Sequence, residues 1–367
     1  MAFGGEIVPN SIYYRGRATD PTVRYLSNWQ RLNHPIEFRG KTFWTTEHLY
    51  KWAKAKFFAD NVAATQILST DEPNQLSNLC TYRGPQHTAL NRKWDRLKEQ
   101  IMIAITEMKF GSDNHFLQHI LATGNQTLIE DTNDERWGRG RNGTGHNLHG
   151  KCLMIVREMY RNPNRANSPD TYLVGDSLVR DIELPGCITI CMGGAHSGQV
   201  CLIGELFSKL GVTELILHVG TNDCFPRPSQ IAGHEYRFGQ SRAQLHKFVQ
   251  MVCGIARRNP SLSISISPML PRPCDTHHIT NELTEMHKDL NEVLISNIIE
   301  EQRHNQHRNL RVFDHRWLFD LNSEERYYEH DLLHLNSEGQ KVFRGFLMSA
   351  LNQKQSFPTQ VVLNGRI

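Results

Sequence analysis

Acyl transfer requires a hydroxyl nucleophile, an imidazole that takes its proton and a carboxylate that fixes the imidazole tautomer. The second half of the chain offers such a set. Gly175-Asp176-Ser177-Leu178 follows one short apolar run, Gly220-Thr221-Asn222-Asp223 follows another, and Asp331-Leu332-Leu333-His334 places a carboxylate three residues before a histidine. The oxyanion needs preorganised donors, for which the Ser177 amide, the Asn222 side chain and a glycine amide are candidates. Gly193, Gly194 and Gly198 compete for the glycine role, because a residue without Cβ lets backbone approach a ligand closely. Taken singly, Gly-Asp-Ser and Gly-Thr-Asn-Asp are equally strand-ending turns. His334 alone reads as a surface residue before a helix that Ser337 and Gln340 open as a capping box. The three motifs in order, each at a strand or loop end, read as one hydrolytic site. His330 and His334 also have HxxxH spacing, but Asp stands where a general-base Glu is expected and no third ligand is evident, so no metal is expected. No GxSxG elbow occurs, which removes the α/β-hydrolase reading.

The first half carries a different chemistry. Glu47 starts an amphipathic segment, Trp94 lies inside another, and Asp134 stands three residues before Trp137 in a glycine-rich basic loop. Carboxylates beside indoles suit glycosidic cleavage: one protonates a leaving base or activates water, another stabilises positive charge at the sugar, and ring faces stack on the base. The loop from Glu135 to Lys151 joins Arg136, Arg139 and Arg141 to five glycines and reads as a phosphate cradle. Its GRGRNG is formally GxGxxG, but no strand precedes it and no helix opens directly after it. Plainer readings stand beside these. Trp94 is in register with Leu90, Leu97 and Ile101 and by periodicity belongs to a core; Glu47 opposes a helix dipole; the arginines form a solvated turn.

The elements that must position these groups follow from periodicity. Thr46 to Ala59 puts Leu49, Trp52, Ala53, Lys56 and Phe57 on one side of a helix with Thr45 or Thr46 as N-cap. Leu90, Trp94, Leu97, Ile101, Ala104, Ile105 and Met108 form a second stripe, His149 to Tyr160 a third helix packed on both, and short strands are expected at 36–38 and 127–130. After 170 the pattern becomes apolar β-branched runs, TYLVGDS, CITICM, ELILHVG, LSISISPM and LRVFD, separated by helical segments near 199–210, 241–258 and 280–302. That alternation predicts a parallel sheet covered on both faces, with ligand sites in the loops at the carboxyl ends of its strands.

At 367 residues the chain exceeds one ordinary core of roughly 100 to 200 residues, so two domains are expected. The low-apolar stretch 161–170, RNPNRANSPD, is the expected linker between a domain at 1–160 and one at 171–352, with a fraying tail at 353–367. A net charge of +3, from 41 basic and 38 acidic residues, argues against a DNA-packaging role while leaving room for a local phosphate site. No run approaches the roughly 18 apolar residues of a membrane span and no secretory layout opens the chain, which predicts a cytoplasmic protein without membrane partners. Eight cysteines without a CxxC pair are expected to be reduced and mostly buried.

The second half resembles the SGNH or GDSL hydrolase family in GDSL at 175–178, GTND at 220–223 and DxxH at 331–334, over about Thr171 to Leu351. The resemblance implies a flavodoxin-like three-layer fold and esterase, acetyl-hydrolase or lipase chemistry. By motif, Ser177 would be nucleophile, His334 base, Asp331 its orienting carboxylate, Asn222 an oxyanion donor, and Gly198, in SGQ, the glycine donor. The first half resembles the NADAR, or YbiA-like, family in YLSNW, FRGKTFWTTEHLYKWAKA, NRKWD, MKFGSDN, TGNQTLIEDTNDERWGRG and NLHGKCLMIVRE, covering roughly Ile12 to Arg161. That resemblance implies a mainly α (α+β) domain with N-glycosidase activity on N-ribosylated substrates, a ribosylamino-pyrimidine or ADP-ribose on a nucleobase. It places Glu47, Trp94, Asp134 and Trp137 in the active site, with Glu47 and Asp134 as acid/base and sugar stabiliser in either order. Trp29 replaces a more usual phenylalanine, and His149 stands where the family often has Leu-Gly.

The expectation is thus a bifunctional hydrolase, needing no metal or cofactor, whose partners are nucleotide or sugar adducts and acyl esters, with ADP-ribosylated nucleic acid admitted as a substrate. Arg136 and Arg139 are expected to bind substrate. The competing expectation is a module that binds ADP-ribose-like ligands without turnover, or a domesticated mobile-element product.

Overall fold

The computed structural model describes residues 8–16, 20–70, 73–76, 79–162, 170–224, 234–270, 281–304, 309–313, 324–330 and 334–352. The chain divides into two compact units, Met1–Ser168 and Pro169–Ile367. Of the expected linker, residues 163–169 lie outside the described residues, as does the tail 353–367.

In the first unit, β1 (Ser11–Tyr14) pairs in parallel with β4 (Thr127–Glu130), while β2 (Ile36–Phe38) and β3 (Lys41–Phe43) form an antiparallel hairpin. The hairpin turns through Arg39 and Gly40, both at positive φ (53° and 67°), the backbone that a two-residue turn between twisted strands requires. Helix α1 (Thr46–Phe57) starts where the Thr45 hydroxyl accepts from the His48 amide and buries Leu49, Trp52, Ala53 and Phe57. It stops two residues before the expected Ala59, which takes a φ of 57°, and Asp60 then caps α2 (Asn61–Leu68). The long stripe becomes α3 (Thr88–Ser112), 25 residues with Trp94, Leu97, Ile101, Ala104, Ile105 and Met108 buried. Asp113 ends it by capping α4 (Asn114–Ala122), its carboxylate accepting from the Phe116 amide.

Helix α5 (Leu148–Arg161) packs chiefly on α3 and β4, and α1 packs on α2 and α3. Of the two contacts expected of α5, that with α3 is extensive, and α3 is the partner that α1 and α5 share. A Cβ on Gly150 would meet the Leu128 carbonyl at 2.1 Å, so glycine lets the first turn of α5 rest on β4. Just before it, Asn147 sits in the left-handed region at φ 50°, and its amide bonds the outer edge of β4, accepting from the Glu130 N–H at 3.0 Å and donating to the Leu128 carbonyl at 2.9 Å.

The second unit is built on a five-stranded parallel sheet, β5 (Thr171–Gly175), β6 (Cys187–Cys191), β7 (Glu214–His218), β8 (Ser263–Ser267) and β9 (Leu310–Val312), in the order β6-β5-β7-β8-β9. Numbered from its first strand that order is 2-1-3-4-5, the doubly wound flavodoxin-like arrangement. Alternating residues serve opposite faces. Leu215 and Leu217 face α6 (Ser197–Phe207) at Gly204, and the Tyr172 ring lies 5.4 Å from that of Phe207. Leu173 and Ile216 join the opposite cluster with Phe343 and Leu347 of α10 (Ser337–Asn352). After β7 come the single turn α7 (Thr221–Cys224), then α8 (His234–Arg258), which packs on α6, and α9 (Asn281–His304) on α8. The expected Ser337/Gln340 box is replaced: Asn336 opens α10, its Oδ1 accepting from the amides of Glu338 and Gly339, both at 3.0 Å.

Cys80, Cys152, Cys201 and Cys253 are buried free thiols, and Cys187 and Cys191 are half-buried. Among the described residues no helix is long and apolar enough to cross a membrane.

Candidate active sites

In a doubly wound sheet the crevice opens at the carboxyl ends of the two strands between which the winding reverses, here β5 and β7. Gly175 and His218 end those strands side by side in register, so the residues that follow them, Asp176-Ser177 and Thr221-Asn222, emerge together. The Ser177 hydroxyl and His334 Nε2 lie 2.9 Å apart, although 157 residues separate them in sequence. Serine and imidazole therefore share the hydrogen bond through which a proton can leave the hydroxyl. Asp331 lies outside the described residues.

Around this pair the side chains are tightly committed. Asp176 is 1% exposed and its Oδ1 accepts from the Leu178 amide at 3.0 Å, which shapes the short turn carrying Ser177. Burial raises its carboxyl to about 6, against the pull of the Leu178 amide, and the neighbouring Asp223 adds to the rise. Asn222 donates to the Ala195 carbonyl at 3.1 Å and, more loosely, to Asp176 Oδ2 at 3.4 Å. Asp223 binds the Ser197 amide and hydroxyl, both at 2.9 Å, and so anchors the start of α6.

The candidate glycines stand in different surroundings. Gly198 is exposed in the first turn of α6, with nothing within 4 Å of where its Cβ would stand. Gly193 instead lies against the nucleophile: a Cβ there would sit 3.8 Å from Ser177 Cβ. Its amide and the Arg180 guanidinium face the Cys191 thiol, whose pKa burial raises and these two neighbours lower. Cys191 in turn donates to the Asp176 carbonyl at 3.3 Å.

In the first unit the Glu47 amide donates to the Asn28 carbonyl at 3.1 Å, holding the head of α1. Burial raises the Glu47 carboxyl, Lys51 and His149 oppose the rise, and Glu130 adds to it. One turn along, Tyr50 joins the rings: the Trp94 indole N–H donates to its hydroxyl at 3.2 Å, and its ring centroid lies 5.5 Å from Trp94 and 5.7 Å from Trp137. Trp94 is 3% exposed, so the core reading holds for it, while its N–H touches the residue adjoining Glu47 on the helix face.

Asp134 is placed differently from the expectation. It is exposed, and its Oδ1 accepts from the amides of Arg136 and Trp137 at 2.8 and 2.7 Å, which is the work of an Asx turn. The carboxylate that adds to the rise of Glu47 is that of Glu130, at the end of β4. Beside Glu130, His149 is 1% exposed, its Nδ1 3.0 Å from the Tyr14 hydroxyl and 3.6 Å from Glu130 Oε1. Tyr50, Glu130 and His149 had readable signals only in part: Tyr50 lies at i+3 from Glu47, whereas a strand-ending Glu looks like any other.

Arg136 and Arg139 of the expected phosphate cradle face carboxylates in this structure. Arg139 is 9% exposed with Nε 2.7 Å from Asp131 Oδ1, and Arg15 holds the other oxygen of the same carboxylate at 2.7 Å. Arg136 pairs with Asp95 at 2.9 Å. The first amides of α5 are also taken, Leu148 by the Arg136 carbonyl and His149 by that of Trp137, so the loop folds onto the helix end instead of presenting it.

Comparison with known proteins agrees with the first unit. The NADAR domain model matches residues 13–161. The N-glycosidase YbiA of Shigella boydii is 34% identical over 125 residues, 34% of this chain and 74% of that protein. N-glycosidase Npun_R5314 of Nostoc punctiforme is 35% identical over 125 residues, 33% of this chain and 77% of that protein. Among solved structures, a GDSL-like lipase from Bacteroides thetaiotaomicron aligns over 54% of this chain and 97% of its own at 16% identity with a TM-score of 0.38. Through residues 13–161 the chain belongs to the NADAR domain family.

Proposed function

We propose that the chain carries two hydrolytic sites, a serine ester hydrolase in the second unit and an N-glycosidase in the first. By family the chain is a hydrolase. The observation that carries the ester reading is the 2.9 Å contact between Ser177 and His334 at the winding reversal of the sheet. His334 Nε2 takes the hydroxyl proton as Ser177 Oγ attacks an ester carbonyl. The amide of Ser177 meets the oxyanion with a glycine amide of the 193–198 segment, and Asn222 releases its long contact with Asp176 to join them. His334 then gives the proton to the leaving alcohol oxygen; water, activated by the same imidazole, releases the acid and restores the serine. Asp331 is proposed as the carboxylate that orients the imidazole.

In the first unit the half-buried Glu47 acts at the bond between a ribose and a nitrogen base, giving a proton to the base or taking one from water. Glu130 stabilises charge at the sugar, and Trp137 with Tyr50 lines the base side. The substrate class is an N-ribosylated base, a ribosylamino-pyrimidine or an ADP-ribosylated nucleobase.

A paired assay tests both sites. Wild type, Ser177→Ala and Glu47→Gln are given 4-nitrophenyl acetate and, separately, an ADP-ribosylated guanine and a ribosylamino-pyrimidine. Ser177→Ala is expected to lower only ester cleavage, and Glu47→Gln only glycosidic cleavage, each at least 100-fold. In the wild type the glycosidic pH profile is expected to show an ionisation above the usual glutamate range, because desolvation and the nearby Glu130 raise the Glu47 carboxyl, and Glu47→Gln is expected to remove it. Ester cleavage surviving in Ser177→Ala, or glycosidic cleavage in Glu47→Gln, overturns the corresponding half.

A further inference from the structure

Arg180 closes the short turn that begins at Ser177, and its amide donates to the Ser177 carbonyl at 3.3 Å. The residue is exposed, its guanidinium faces the Cys191 thiol, and among the described residues it makes no ion pair with a carboxylate, unlike Arg136, Arg139 and Arg15. Its position relative to the nucleophile is fixed by a third residue. The point where a Cβ on Gly193 would stand is 3.8 Å from Ser177 Cβ and 3.9 Å from Arg180 Nη2, so any ligand atom at that point touches both. Glycine leaves that point to a ligand, and the guanidinium bounds it.

We propose that Arg180 selects esters carrying an anionic group a few bonds from the scissile carbonyl, a carboxylate or a phosphate, which the guanidinium engages while Ser177 attacks across the Gly193 floor. The inference rests on the ester reading above and adds its substrate class. A guanidinium fork suits either anion, since both present paired oxygens to its N–H donors. Because the arginine is exposed, the preference is modest and screened by salt.

The test uses the full chain and three esters: 4-nitrophenyl butyrate as the neutral reference, 4-nitrophenyl hydrogen glutarate with the charge on the acyl side, and 4-acetoxyphenyl phosphate with the charge on the alcohol side. The readout is the ratio of kcat/KM for each charged ester to that for the neutral one. Arg180→Gln is expected to lower the ratio about fivefold for at least one charged ester, Arg180→Lys to retain part of it, and 0.5 M NaCl to lower it in wild type but not in Arg180→Gln. Which charged ester responds shows whether acyl or alcohol side faces the guanidinium. Gly193→Ala, whose methyl fills the shared point, is expected to lower the ratio as well. Equal ratios in wild type and Arg180→Gln, with ester cleavage still dependent on Ser177, overturn the role of Arg180 and leave the ester reading standing. Absence of Ser177-dependent cleavage of all three esters overturns both.

Discussion

Asp176 is the residue at which chemistry and stability conflict most directly. Its carboxylate shapes the nucleophile turn through the Leu178 amide, yet burial raises its pKa to about 6. An acid whose pKa is raised by folding holds its proton more tightly in the native state. Its contribution to stability is therefore greatest below pH ~4 and declines as pH rises through about 6, then stays flat. Asp176→Asn keeps an oxygen for the Leu178 amide and removes the buried charge. It is expected to raise the stability of the second unit by up to about 3 kcal/mol at pH 7.5 and by little at pH 4, read from urea midpoints at the two values. An equal effect at both values would mean that the carboxyl ionises as it does in water.

At the scale of elements, the contact between α5 and β4 places His149 beside Glu130, and it depends on Gly150. Gly150→Ala would set a methyl 2.1 Å from the Leu128 carbonyl, and the helix must shift to admit it. The expected cost is about 1–3 kcal/mol, seen as a lowered melting temperature of the first unit, with glycosidic kcat falling because Glu130 and His149 no longer face Glu47 as before. Elements were also where the sequence was most legible. The β2 and β4 ranges, the cap at Thr45, the α3 stripe and the alternating second half are local patterns of period and punctuation. Strand β1 was not legible, because Ser11–Tyr14 is four residues long and its partner lies more than a hundred positions away. Ser177 and His334 were readable because each sits in a motif beside a strand or helix end. Gly193 was not distinguishable from Gly198, since only the path of the chain after β6 decides which of them reaches the nucleophile. Asp three residues before Trp fits a catalytic carboxylate and an Asx turn equally well, and sequence does not separate them; Glu130 had no signal because its charged neighbour Glu47 is brought by α1.

For the whole molecule, each unit has its own apolar core: the α1–α3 and α3–α5 contacts in one, the two covered faces of the sheet in the other. Calorimetry is expected to resolve two transitions. Leu173→Ala, at a side chain that is 0% exposed in the sheet core, should move one of them by an amount equivalent to about 2–5 kcal/mol and leave the other in place. A common shift of both would mean that the units unfold together. The same division into two cores underlies the paired assay, in which each substitution is expected to silence one of the two proposed chemistries.

The amide of Asn147 has a consequence beyond the loop it terminates. A two-stranded ribbon such as β1–β4 ordinarily offers its free margin as a template on which a strand of another chain can grow. Here one carboxamide occupies the Glu130 N–H and the Leu128 carbonyl that such a strand would seek, and the Arg139 amide takes the Glu130 carbonyl at 2.9 Å. The loop that Asn147 ends thus also shields the ribbon from self-association, so that loosening it would expose a sticky seam as well as disturb the contact of Trp137 with Tyr50.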